Sequence, residues 1–168
     1  MGIWNDIDKE TTNLARLWRQ LDQETRFQAA DAFYRHDFED EGEKHAEADA
    51  YLASALKFRL VAVRKLPAEQ RARSLAYAGH LPPTLVSSLL IAFHFEERRE
   101  MLATFLDALG IRHEGGLISP DQDIPALVAG KLETAIEDLF SKYPTEQVEV
   151  YLATLALGDP VNWEASFL

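Results

Sequence analysis

The stretch from Glu43 to Leu66, EKHAEADAYLASALKFRLVAVRKL, decides how the rest of the chain is read. It contains neither glycine nor proline, so nothing in its composition interrupts a helix. On a wheel of about 100° per residue, Tyr51, Leu52, Ala55, Leu56, Phe58, Leu60, Ala62 and Val63 cover roughly 200°. A helix that is apolar over so wide an arc belongs at the centre of a fold. Pro67 ends it or opens the next helix.

Three polar residues project into that arc: Arg59, and, further back, His45 and Asp49. His45 and Asp49 stand at i and i+4, close enough for their side chains to meet. A buried guanidinium must find a carboxylate or carbonyl groups, or the fold loses several kcal/mol. The partner expected for Arg59 comes from residues 83–109, which read as helix with an apolar face that changes side: either the helix breaks near His94 or it passes from one packing layer to another. Leu85, Val86, Leu89, Leu90 and Phe93 share one face, and its continuation meets Glu96, Glu97 and Glu100. Glu97 or Glu100 is the natural partner. As a functional site, His45, Asp49, Arg59, His94 and Glu97 would line a polar cavity for a small anion or a metal. As structure, they are an interior ion pair with His45 at a helix start.

Outward from these two segments the helical period continues. Leu14, Leu17, Trp18 and Leu21 form one stripe, and Phe27, Ala30, Tyr34 and Phe38 a second, with Asp22 as the N-cap between them. FEDEGE at 38–43 reads as a loop, and residues 67–79 as a short helix stopped by Gly79 and Pro82–Pro83. HEGGLISPDQDIP at 113–125 is the most loop-like stretch. Asp121 or Asp123 caps a helix over 124–142, and Pro144 and Thr145 open a last helix ending near Gly158. No strand alternation is evident. The expected fold is all-α: a single domain over residues 1–168, an irregular bundle of about seven helices, with a helical-repeat-like stack as the alternative. Trp4 and Trp18 read as anchors, and Trp163 and Phe167 as residues that dock the tail.

Composition narrows the function. Apolar residues are 47% and charged residues 27% of 168, which is the balance of a folded domain. There is no cysteine, which removes disulfides, thiolate catalysis, iron–sulfur clusters and cysteine zinc sites. The opening MGIWNDID is not a secretory signal, and no apolar run is long enough to span a membrane. The expected compartment is the cytoplasm. The net charge of −11 argues against general nucleic-acid binding and against an anionic membrane surface. That charge is unevenly spread: residues 1–56 carry −7, residues 57–112 carry +4 and residues 113–168 carry −8. The plain reading is a basic middle that packs between acidic helices and pairs with them. The sharper one is a local anion site at Lys57, Arg64, Lys65, Arg71 and Arg73.

The usual catalytic and metal patterns fail one by one. No histidine lies three or four residues from another, and none follows a glutamate by three, as di-iron bundles require. HDFEDEGEKHAEAD at 36–49 is acidic enough to hold a divalent cation but lacks EF-hand spacing. There is no phosphate-binding glycine loop and no GxSxG elbow. Ser87 and Ser88 lie mid-helix, where serine bonds the preceding turn. No catalytic residue, metal ligand or cofactor is assigned. The expectation is a noncatalytic helical protein acting through a protein partner or as a homo-oligomer, with the polar set around Arg59 as the alternative.

Overall fold

A computed structural model of the protein describes residues 14–158. The roles expected of Trp4, Trp163 and Phe167 lie outside these residues. The chain is all-α, with ten helices and one minimal hairpin among the described residues. It divides into two compact units, whose described parts are residues 14–97 and 98–158.

The first unit holds α1 (Leu14–Gln20), α2 (Gln23–Arg35), α3 (Glu43–Leu56), α4 (Leu60–Lys65), α5 (Ala68–Tyr77) and α6 (Pro83–Glu97). Helix α2 is its axis, packed on α5 and α6. It buries Ala29, Ala30, Ala32 and Phe33, and the small residues let neighbours approach from two sides. Leu14, Leu17, Trp18 and Leu21 are buried as their spacing predicts, and α1 packs on α6. The Trp18 indole Nε1 donates to the Ala78 carbonyl (3.2 Å), which gives the buried ring's one polar atom a partner at the end of α5. Helix α6 is apolar nearly all round and meets α1, α2 and α3.

Asp22 caps α2 as expected, accepting from the Thr25 amide (2.7 Å). That backbone hydrogen bond is the main reason its carboxyl titrates below the ordinary value of 3.8. A lowered folded pKa adds stability above the unfolded pKa, and this is lost as pH falls through the folded value. Asp22→Ala is therefore expected to cost about 1 kcal/mol at neutral pH. The difference should shrink toward pH 2, as read from denaturant midpoints at both pH values.

The helix expected over 43–66 is two helices. Lys57 takes a left-handed conformation (φ 57°), and the amides of Lys57 and Phe58 reach back to the carbonyls of Ser54 (3.4 Å) and Ala53 (3.0 Å). This is the Schellman ending, normally made with glycine at the left-handed position. A lysine there pays about 1–2 kcal/mol of backbone strain. The periodic pattern did not register the break because periodicity does not record a turn that lysine can make. Past it, Arg59 is the N-cap of α4, and Arg64 and Lys65 fall in its last turn, where their charges are favourable at the negative end of the helix dipole.

The second unit holds α7 (Arg99–Ala108), β1 (His113–Glu114), β2 (Leu117–Ile118), α8 (Ile124–Val128), α9 (Leu132–Lys142) and α10 (Thr145–Gly158). Of the two readings of residues 83–109, the break near His94 is the one found: α6 ends at Glu97, and Arg98 (φ −137°, ψ 30°) is the N-cap of α7. The strands, which the alternation test missed, pair antiparallel across Gly115 and Gly116, both at positive φ. A two-glycine turn of this kind makes a tight hairpin without long strands. Asp123 caps α8 through the Ala126 amide, and Gly130 (φ 77°) separates α8 from α9, so residues 124–142 are two helices. Met101, Leu102, Phe105 and Leu106 of α7 and Ala135 and Leu139 of α9 are buried in this unit. Tyr151 of α10 meets the Phe105 ring edge-on at 5.6 Å.

Candidate functional site

The structure uses the five residues singled out from sequence in three separate ways. Asp49 is buried, as its place in the apolar arc of α3 implied, but its partner is not Arg59. The Asp49 carboxylate accepts from Arg71 Nη1 on α5 at 2.9 and 3.2 Å and from the Tyr34 hydroxyl on α2 at 3.0 Å. The Arg71 guanidinium also lies over the Tyr34 ring, 4.8 Å from its centre. Burial first, and the Asp49 carboxylate second, push the Tyr34 hydroxyl far above its ordinary pKa of 10. The result is a closed Tyr34–Asp49–Arg71 link that ties α2, α3 and α5 together. Arg71 therefore leaves the anion site proposed for it. Its place four residues before buried Leu75 was the signal that it faces inward.

His45 lies in the same neighbourhood. Its Nε2 donates to the Phe33 carbonyl (2.6 Å), and its ring meets those of Phe33, Tyr34 and Phe38. Phe33 is in the last turn of α2, where carbonyls lack an intrahelical donor, so His45 supplies a C-terminal cap. His94 is buried within α6, with Nδ1 donating to the Leu90 carbonyl (2.7 Å). Glu97 is exposed and ion-paired with Arg35. Neighbouring Glu96 accepts from His36 Nδ1 (2.8 Å) and lies 3.8 Å from Arg35. The hydrogen bond that Arg35 donates to Glu97, opposed by burial, is the main cause of the raised Arg35 pKa. Glu96 and Glu97 thus clamp the end of α2 to the end of α6 instead of meeting Arg59.

Arg59 itself is exposed at the α3–α4 turn. The expected buried guanidinium is a surface one, because the break at Lys57 turns the chain before Arg59 can enter the arc. The apolar residues around it are exposed too: Leu56 by 38%, Phe58 by 53% and Val61 by 62%. Lys57, Arg59, Arg64 and Lys65 form no ion pair with a described residue, whereas Arg73 pairs with Glu69 and lies over the Phe27 ring. Nor does the basic middle simply neutralise acidic flanks. Asp49–Arg71 runs in that sense, but Arg35 with Glu96 and Glu97 runs in the opposite one.

The acidic 36–49 stretch is engaged in local structure. Asp37 accepts from the Glu39 amide, and Asp40 from the Gly42 and Lys44 amides that open α3. In the second unit, an open cleft of about 410 Å³ is lined by Gly110, Arg112, Asp121, Gln122, Asp123, Ala126 and Leu127. Its Gln122 side chain is bonded to Arg112 and Ser119 backbone, and Asp123 is the cap of α8. His113 accepts the Gly116 amide at Nδ1 (3.1 Å), so its Nε2 carries the proton donated to Asp107 (2.7 Å). No helix among the described residues is long and apolar enough to cross a membrane. Comparison with protein-family models, with curated proteins and with solved structures found no match.

Proposed function

We propose that this chain works by binding another protein, with the α3–α4 turn as the contact surface. The observation that carries this reading is the exposure of Leu56, Phe58 and Val61 within six residues of one another. Large apolar side chains left in water at one place mark interaction sites more often than scattered ones do. The polar residues that suggested a ligand cavity support the same view: Asp49, His45 and Glu97 are engaged with tyrosine, arginine and backbone groups. The role is that of an adaptor, or of a homo-oligomer if the partner is another copy, and we place it in the cytoplasm.

A photo-crosslinking residue at position 58 tests the reading in extract of the source cells. The crosslinked polypeptide is identified, purified and titrated against the wild-type chain and a Phe58→Ser, Val61→Ser chain. Both positions are exposed, so the variant should fold. Saturable binding that is weakened by about tenfold or more in the variant is the expected result. Equal binding to both chains, or no polypeptide adduct, would refute it.

A further inference from the structure

We infer that the partner presents a short acidic segment carrying two or three large apolar side chains to the α3–α4 turn. This rests on the contact surface just described and specifies what it takes. Between Ala50 and Ala68 the chain has no aspartate or glutamate, while Lys57, Arg59, Arg64 and Lys65 are exposed and make no ion pair with a described residue. Phe58 and Val61 are interleaved with these cations, so apolar and anionic groups are wanted together. Lys57 sharpens the point. It holds the left-handed position of the turn, where glycine would carry no steric penalty, and so puts a cation beside Phe58 at the turn itself.

Charge also selects among possible occupants. Among the described residues of this unit, 14–97, the net charge is −2, and leaving out these four cations puts −6 on its remainder. Charges separated by more than about 8 Å are largely screened at physiological salt. A short segment can therefore meet the cations alone. An anionic bilayer or a nucleic-acid duplex extends well beyond them and is repelled by the acidic remainder. A second copy brings its own −11, and matching turn against turn would set cation on cation. Docking the turn on an acidic face of another copy gives a head-to-tail contact, which builds a ring or a filament rather than a two-fold dimer.

The test is selection from a random 12-residue peptide library displayed on phage against the full chain. Sedimentation velocity and co-pelleting with phosphatidylcholine vesicles containing phosphatidylserine run beside it. Enriched peptides should be net acidic with two or three large apolar residues. Their binding should fall about tenfold or more in Phe58→Ser. It should also weaken with added salt, and weaken in Lys57→Gly, where the melting temperature rises. That opposition of affinity and stability is not produced by misfolding. Peptides that need Phe58 but are not acidic would overturn the inference and leave the contact surface standing. Peptides that bind every variant alike would overturn both, as would no enrichment together with neither vesicle binding nor self-association. Vesicle binding or self-association that is lost in Phe58→Ser, without acidic peptides, would reassign the turn to lipid or to a second copy.

Discussion

Asp49→Ala is expected to destabilise the protein by about 3 kcal/mol, near the lower end for breaking a buried ion pair because Arg71 keeps some access to water. The substitution leaves the Arg71 guanidinium without its carboxylate and the Tyr34 hydroxyl without its acceptor, both beside packed rings. In a chain of this size that is a fall of about 6–12 °C in melting temperature. Tyr34→Phe removes one hydrogen bond and should cost only about 1 kcal/mol. Replacing both charged partners together, Asp49→Leu with Arg71→Met, should recover most of the loss, since neither charge is then stranded. Urea denaturation measures these three variants, and the single variants Asp49→Leu and Arg71→Met complete a double-mutant cycle. If Asp49→Ala cost less than about 1 kcal/mol, the link would not be what holds α2, α3 and α5 together.

The largest single loss is expected in the second unit. Phe105→Ala should cost about 3–5 kcal/mol. Phe105 is fully buried among the residues of α7 and faces the Tyr151 ring edge-on. Truncation forfeits both the transfer free energy of the ring and the contacts lining the space it leaves. The tyrosine face loses its edge contact as well, which accounts for about 1 kcal/mol of the total. Amide exchange should quicken in α7 and α10, the elements whose buried faces lose a neighbour. Phe105→Leu, which keeps most of the volume, should cost less than half as much. Equal losses for alanine and leucine would mean that the ring's shape, rather than the space it fills, is what the unit needs.

Much of the architecture was legible residue by residue. Asp22, Asp123, Pro67, Pro83 and the 14–21 stripe each mark a helix end or face through neighbours only a few positions away. The inward orientation of Asp49 and His94 was legible for the same reason, since a helical face is set by spacing alone. The break at Lys57 was not, because lysine carries no mark of the left-handed conformation it takes there, whereas the break at Arg98 was signalled by the change of apolar face near His94. The Gly115–Gly116 hairpin was overlooked because two-residue strands are too short to show alternation.

Which charges meet was beyond reach of any pattern. Asp49 finds Arg71, 22 residues on, because α3 packs on α5, and Arg35 finds Glu97, 62 residues on, because α2 packs on α6. Arg59 shows the same limit from the other side. Its spacing placed it in an apolar arc, and one left-handed residue two positions earlier put it in water. Helix type, faces and caps follow from short-range sterics and hydrogen bonding, which a linear sequence records directly. Ion-pair partners and exposed surfaces follow from how helices are placed against one another, and that depends on the packing of the chain as a whole.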